Sequence, residues 1–163
     1  MTRSKTLMIV LALSVDAIGA AADTPPAIRA EVEQFARAYI EAHNGTEPSA
    51  VMDLISRRPE ASSVTMGAVA RGPEAIRRET GTLAGVQGSH RMRPDSMDVV
   101  PLGPGFALVV APVSFEFATE GLNSDLHGAL TLVVEKSSGK WKVLHEHVSL
   151  QFPLSDVQGQ SSE

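Results

Sequence analysis

The chain has 163 residues, of which 43% are hydrophobic and none is cysteine, and its formal net charge at pH 7 is −5. Its only basic pairs are Arg57-Arg58 and Arg77-Arg78, so it lacks the clustered lysine and arginine that bind phosphate backbones, and we expect no nucleic-acid partner. The lack of cysteine excludes disulfides, and without a second apolar segment of about 18 residues we expect no membrane span in the mature protein.

The first 22 residues have the pattern of a secretory signal peptide. Arg3 and Lys5 precede a short apolar run, and Ala20-Ala21-Ala22 offers a cleavage site before Asp23. The apolar run is too short to cross a bilayer as a mature helix. We therefore expect an exported protein, periplasmic or secreted.

Removal of this segment leaves a single domain, predicted at residues 23–154. The last residues, 155–163, are rich in Ser and Gln and predict a disordered tail. A domain of this size buries roughly two-thirds of the surface of its unfolded chain, which is enough for a core without disulfides.

A long first helix is predicted between Thr24, which can cap its start, and Asn44-Gly45, a typical stop. Its apolar and aromatic residues recur at spacings of three and four, which places them on one stripe facing the core. The members of this stripe are Ile28, Val32, Phe35, Tyr39 and His43. The Tyr39 hydroxyl therefore lies on the buried side, either as a satisfied core group or as a donor lining a pocket.

Two further helices and a strand are predicted before the sheet. A short helix runs from Thr46 to Ile55, and Pro59 prevents its continuation. Residues 62–69 alternate as a strand, and Arg71-Gly72-Pro73-Glu74 turns the chain into the third helix. On that helix Ile76, Thr80 and Leu83 share one side.

Everything after the third helix is predicted to be sheet. A polar strand at 90–100 is interrupted by Pro94, the strand at 106–117 is the most buried, and a third strand covers 125–136. Ser137-Ser138-Gly139-Lys140 then forms the turn of a hairpin with residues 141–150.

The last strand concentrates the polar chemistry. Strict alternation places Glu146 on one face with Lys142, Leu144, Val148 and Leu150. The other face then carries Trp141, Val143, His145, His147 and Ser149. Such a face suits the wall of a cavity or a subunit interface.

The ending Gly139-Lys140-Trp141-Lys142-Val143-x-His145-x-His147-x-Ser149, with Arg71-Gly72-x-Glu74-x-Ile76 before the third helix, resembles the SnoaL-like and DUF4440-like branch of the NTF2-like superfamily. The resemblance covers about residues 27 to 152. It implies an α+β cone in which a long N-terminal helix and two shorter helices pack on a strongly curved, mainly antiparallel sheet. It also implies a homodimer through the sheet and a pocket between the long helix and the sheet.

The family includes isomerases, dehydratases, cyclases and non-catalytic binding or assembly domains, so fold alone does not fix the chemistry. Trp141, His147 and Ser149 match recurring positions of the motif. Ketosteroid-isomerase members use a carboxylate base with a tyrosine and a protonated acid as oxyanion donors. Tyr39 resembles the tyrosine, but no aspartate in the sequence stands out as base or partner.

Three explanations of the histidines remain open. His145 and His147, with His127 facing them from the preceding strand, can form a neutral hydrogen-bonded cluster at a dimer interface or pocket wall. They can also bind a ligand or transfer a proton, since imidazole titrates near neutral pH. The His-x-His spacing is compatible with a metal, but no carboxylate signature accompanies it, and we expect neither metal nor cofactor.

Two functions follow. The first is an exported, non-catalytic dimer that holds a small apolar or weakly acidic ligand, with Tyr39 and His127 in the pocket. The ligand-binding set also includes Trp141, His145, His147, Ser149 and Arg71. The second is an isomerase or dehydratase in which His147 or His145 moves a proton while Tyr39 or Arg71 stabilises negative charge.

Overall fold

The computed structural model describes residues 26–84, 89–119 and 122–151. The helices are α1 (Pro26–Asn44), α2 (Pro48–Met52) and α3 (Pro73–Ala84). The strands are β1 (Ser62–Thr65), β2 (Ala68–Arg71), β3 (Ser89–Pro94), β4 (Asp98–Gly103), β5 (Phe106–Thr119), β6 (Leu122–Ser137) and β7 (Lys140–Gln151). The predicted signal peptide, the Thr24 cap and the predicted tail lie outside the described residues.

The seven strands form one curved sheet in the order β2-β1-β7-β6-β5-β3, with β4 pairing the first half of β5. All pairs are antiparallel except β1 with β7, which run parallel. This confirms the predicted α+β architecture of helices on a mainly antiparallel sheet. None of the helices within the described ranges combines the length and hydropathy needed to cross a bilayer.

The helices pack on one face of the sheet, which we name the core face. Along β5 and β6 the buried residues alternate: Ala107, Val109, Ala111, Val113, Leu130, Leu132 and Val134. Of the stripe predicted on α1, Val32 and Tyr39 are buried in this core, and Ile28, Phe35 and His43 are partly buried. Ala36 and Ile40 are buried beside them. The opposite face, named the outer face, leaves Phe106 and Val110 each 36% exposed.

Two predicted elements are shorter than the pattern suggested. The strand predicted at 62–69 is a hairpin, because Met66 and Gly67 adopt positive φ angles of 50° and 85° and reverse the chain. The second helix ends at Met52 rather than at Ile55. Beyond Met52 the backbone pairs with Val143 instead of continuing the helix. Ser56 N donates to the Val143 carbonyl at 2.8 Å, and Ile55 forms an isolated parallel β-bridge with Val143.

A β-bulge in β7 decides which side chains face the helices. Val134 pairs with Val143, whereas the preceding residue, Val133, pairs with His145, so Leu144 is an extra residue in β7. One inserted residue exchanges the two faces of a strand from that point onward.

The predicted face of the last strand is therefore wrong. Trp141 and Val143 lie on the core face, but beyond the bulge the core face carries Glu146 and Val148. His145, His147 and Ser149 lie instead on the outer face. The strand thus delivers a carboxylate, rather than two imidazoles, to the space under the helices.

Candidate functional site

Polar side chains from α1, β1, α3 and β7 meet on the core face of the sheet. We name them the inner cluster: Tyr39, His43, Ser63, Thr65, Glu79 and Glu146. They come from distant parts of the chain, and the cluster exists only because the helices close over the end of the sheet formed by β1 and β7.

Local structure explains each placement on α1. Tyr39 and His43 are one helical turn apart on the core stripe, and their rings meet edge to face with centroids 4.7 Å apart. Asn44 fixes the end of the helix, since its Nδ2 donates to the Met92 carbonyl at 2.9 Å and its Oδ1 accepts from Met92 N at 2.7 Å. His90 Nε2 also donates to the His43 carbonyl at 2.8 Å.

Glu146 is the centre of the cluster. Its side chain is only 5% exposed, and its parallel partner in β1 is Ser63, which lies on the same face. Ser63 Oγ donates to Glu146 Oε2 at 3.2 Å, and His43 Nε2 lies 3.4 Å from Glu146 Oε1. The second contact is within ion-pair range but makes no hydrogen bond, so His43 Nε2 is a buried atom without a hydrogen-bond partner.

The Tyr39 hydroxyl is also buried beside Glu146. The residue is 0% exposed, and its oxygen makes no well-aligned hydrogen bond, although the Glu146 carboxylate is close enough to interact with its proton. Burial raises the pKa of Tyr39 well above its usual range, followed by the charge of Glu146, the hydrogen-bond interaction with Glu146 and the charge of Glu79. The phenol is therefore held neutral, and its oxygen can still accept a hydrogen bond from another group.

Glu79 brings a second carboxyl group into the cluster from α3. Burial and the charge of Glu146 raise its pKa, while hydrogen bonds from Thr65 and Ser63 lower it in part. Its Oε2 is buried without a partner. The raised pKa means that Glu79 holds its proton more readily than an ordinary glutamate does.

This arrangement combines the elements of proton transfer with those of ligand binding. Glu146 beside His43 can accept a proton, and the Tyr39 hydroxyl can donate or accept a hydrogen bond. Three buried side-chain atoms of the cluster make no well-aligned hydrogen bond to the described residues: Tyr39 Oη, His43 Nε2 and Glu79 Oε2. Buried polar groups are rarely left in this state, and exceptions are frequent at functional sites.

The predicted histidine pair lies on the opposite side of the sheet. His145 Nδ1 is 2.9 Å from Ser62 Oγ, and burial together with the neighbouring His147 lowers the pKa of His145. His147 and Ser149 are exposed on the outer face. These side chains are separated from Tyr39 by the sheet itself.

The remaining predicted residues are also dispersed. His127 is on the outer face but lies far from His147. His127 pairs with Gln151, whereas His147 pairs with Thr131, which is four residues, or about 13 Å, further along β6. Arg71 is exposed on the outer side of the edge strand β2. Within the described ranges no three His, Asp or Glu side chains are arranged to hold a metal ion.

Trp141 lies on the core face but near the other end of α1. Its Nε1 donates to Glu31 Oε2 at 3.2 Å, and Lys136 Nζ lies 5.3 Å from the centroid of its ring. Glu31 precedes Tyr39 by eight residues, or about 12 Å of helix. The structure therefore does not bring Trp141 together with the inner cluster.

A concave region with a volume of about 610 Å³ lies at the C-terminal end of α1, beside the contacts that fix the end of this helix. It is lined by Glu41, Asn44, Gly45, His90, Arg91, Glu116, Phe117, Ala118 and Asp125. None of these residues belongs to the inner cluster. Glu116 in its wall pairs with Arg93 at 2.8 Å.

The sequence reasoning placed Tyr39 and His43 correctly but missed Ser63, Thr65, Glu79 and Glu146. Glu79 was recognisable, because it follows Ile76 by three residues on the buried side of α3. Glu146 was assigned to the wrong face, since no residue in the sequence marks the bulge.

Comparison with known families decides the relationship of the chain. The profile of the SnoaL-like domain family matches residues 32–155, which is most of the sequence. The chain belongs to the SnoaL-like domain family. The predicted branch of the NTF2-like superfamily is thereby confirmed. Among curated proteins, no sequence matches this SnoaL-like chain.

Solved structures share the fold at low sequence identity. An NTF2-like superfamily protein from Salmonella enterica is 17% identical, with a TM-score of 0.70, covering 84% of this chain and 99% of that one. A candidate dehydratase of the NTF2-like family from Streptomyces avermitilis is also 17% identical, with a TM-score of 0.71 and coverage of 80% and 100%.

A candidate association domain of calcium/calmodulin-dependent protein kinase II from Xanthomonas campestris is 21% identical, with a TM-score of 0.60 and coverage of 87% and 98%. At such identities the likeness establishes the NTF2-like fold of this SnoaL-like protein and nothing about its chemistry.

Proposed function

We propose that this SnoaL-like protein is an exported homodimer that binds a small molecule at the inner cluster. The observation that supports the site is that three buried side-chain atoms without a well-aligned hydrogen bond, Tyr39 Oη, His43 Nε2 and Glu79 Oε2, lie in one cluster.

The energetics favour a ligand over a purely structural network. A buried polar group left without a hydrogen bond costs about 1–3 kcal/mol, so a ligand that supplies partners to these atoms gains free energy on binding. A core with no function would gain more from apolar side chains at these positions.

A second candidate function is proton-transfer catalysis of the isomerase or dehydratase kind. It is favoured by the 3.4 Å approach of His43 Nε2 to Glu146 Oε1 beside the unpartnered Tyr39 hydroxyl. In this reaction Glu146 acts as the base, His43 supports its charge, and Tyr39 donates to the developing oxyanion. These residues replace His145, His147 and Arg71 in the roles that the sequence suggested.

The homodimer is supported by the apolar character of the outer face. Val69 and Val100 are exposed there together with Phe106 and Val110. Exposed apolar side chains that lie together on a surface often mark a protein–protein interface. Export is supported by the pattern of residues 1–22.

Native mass spectrometry of the protein taken from the exported fraction of its host tests the proposal. We expect a dimer that carries a discrete small mass, and we expect Tyr39→Phe and Glu146→Gln to lose that mass. Glu74→Gln, an exposed glutamate of the same helix as Glu79, is the matched control and should keep it. A bound mass that both cluster variants retain would locate the ligand elsewhere.

The same preparation separates binding from catalysis. The released small molecule is incubated with fresh protein and followed by mass spectrometry or NMR. If the wild type converts the molecule and Glu146→Gln does not, the result favours the enzyme. If neither protein converts the molecule that the wild type binds, the result favours the non-catalytic module.

A further inference from the structure

We propose that protonation of His145 and His147 controls the association of two copies of this chain through the outer face of the sheet, so that the dimer forms at neutral pH and separates in acid. This rests on the proposed function, because it names the regulation of the proposed homodimer. It also gives the histidines of the last strand, which lie outside the inner cluster, a role at the subunit interface.

The two histidines lie at the centre of the outer face. β7 is the third strand of the sheet, and exposed valines flank it on both sides, since Val69 on β2 is 57% exposed and Val110 on β5 is 36% exposed. His147 stands in the same row across the strands as these two valines. The full row is Val69, Val64, His147, Thr131 and Val110.

The size of an ordinary interface places His147 inside it. Four strand spacings separate Val69 from Val110, which is about 19 Å. A stable interface buries about 800 Å² on each partner, which is a patch about 28 Å across. A patch of that size that covers both valines therefore covers His147. His145 lies two residues away on the same strand, at about 7 Å.

The charges at the two edges of this face suit a second copy of the same chain. Arg71 lies on β2 in the row of His145, and Asp98 lies on β4 in the row of His147. A two-fold axis parallel to the central strands, between β7 and β6, places the β2 edge of one copy over the β4 edge of the other. Each Arg71 then lies near Asp98 of the second copy, and the histidines of the two copies face each other across the axis.

The surroundings of the two rings do not compensate a positive charge. Glu146 lies on the core face and accepts a hydrogen bond there, and Glu135 is already paired with Arg58 at 3.1 Å. The other charged groups on the neighbouring strands are basic, Arg71 on β2 and Lys142 on β7 itself. The direct neighbours on β1 and β6 are uncharged: Ser62, Val64, Thr131 and Val133.

Protonation opposes dimerisation for electrostatic reasons. Burial, and then the charge of His147, lowers the pKa of His145 against the effect of Glu146. In the dimer the second copy adds further burial and two more imidazoles, so the protonated form is disfavoured more strongly. Protons are therefore taken up when the copies separate. The dimer is stable at neutral pH and is weakened as pH falls through the pKa of His145 in the separated copies, which lies below about 6.5.

Sedimentation velocity of the protein purified from the exported fraction of its host, at constant ionic strength, tests this inference. We expect a dimer at pH 7.5 and a dissociation constant at least tenfold higher at pH 5.0, because each proton taken up on separation changes it by about tenfold per pH unit. Circular dichroism should show the same folded spectrum at both pH values. Monomers that appear only with loss of that spectrum would reflect unfolding and overturn the inference.

Variants connect the effect to the two rings. The double variant His145→Gln, His147→Gln cannot gain charge, so it should be dimeric at both pH values. His127 lies on the same face about 13 Å away along β6, and His127→Gln should keep the pH dependence of the wild type. The inference is overturned if the double variant keeps that pH dependence or fails to dimerise at pH 7.5, or if His127→Gln alone removes it.

The wild-type result separates this inference from the proposed homodimer. A dimer of equal stability at both pH values overturns the control by protonation and leaves the homodimer in place. A monomer at both pH values and at all concentrations overturns both. The ligand site at the inner cluster is tested separately, by the mass bound to the native protein.

Discussion

Replacing Tyr39 by phenylalanine should stabilise the ligand-free protein. In most proteins the loss of a buried tyrosine hydroxyl is destabilising, because the hydroxyl has a hydrogen-bond partner. Here the residue is fully buried, and its oxygen makes no well-aligned hydrogen bond, only a poorly aligned contact with the Glu146 carboxylate. Phenylalanine keeps the ring, and with it the edge-to-face contact with His43.

The expected change in stability follows from the groups involved. Removing a buried hydroxyl that makes no well-aligned hydrogen bond recovers about 1–3 kcal/mol. The oxygen leaves a space on the order of 10 Å³, which costs only about 0.2 kcal/mol at the usual dependence on cavity volume. We therefore expect the free energy of unfolding to rise by about 1 kcal/mol or more, with the melting temperature rising by about 3 °C.

Urea unfolding at pH 7, followed by circular dichroism, measures this difference. The protein must first be unfolded and refolded without small molecules, because a bound ligand would stabilise the wild type alone. Ser63→Ala is the contrasting control: its hydroxyl donates to Glu146 at 3.2 Å, so its removal should destabilise by about 1–3 kcal/mol. If Tyr39→Phe destabilises the protein as Ser63→Ala does, the Tyr39 hydroxyl is a structural group and the reasoning fails.

Three further predictions concern other regions. Trp141→Ala should lower the free energy of unfolding by about 3–5 kcal/mol, and an unchanged urea midpoint would show that Trp141 is not part of the core. The raised pKa of Glu79 means that the folded state holds its proton more tightly than the unfolded chain, so this contribution to stability is lost as pH rises from 4.5 through the folded pKa. Stability measured against pH should be flatter over this range in Glu79→Gln, and curves of equal slope would contradict the assignment. Val110→Lys on the outer face should convert the proposed dimer to a monomer in light scattering, and a wild-type mass that is already monomeric at all concentrations would exclude the dimer.

The class of fold was predictable because it depends on repeated patterns. The stripe on α1, the turn at Ser138-Gly139 and the alternation in β5 each involve many residues that agree with one another. Local interruptions were less predictable. The reversal at Met66-Gly67 requires a positive φ at a methionine, which its sequence does not suggest.

Which side chains form the candidate site depended on one such local interruption, the β-bulge in β7. Strict alternation from Trp141 puts His145 and His147 inside, and the bulge at Leu144 puts Glu146 there instead. A bulge depends on how two strands are paired, so a single strand considered alone does not reveal it. Tyr39 was placed correctly because the regular spacing of the stripe on α1 is not interrupted by an inserted residue.

A crystal structure of the protein purified from the exported fraction without refolding would test the proposed ligand site most directly. We expect ordered density for a non-protein molecule within hydrogen-bonding distance of Tyr39 Oη, His43 Nε2 and Glu79 Oε2. A structure in which these three atoms hydrogen-bond to other groups of the protein, with no molecule between them, would contradict the proposed site.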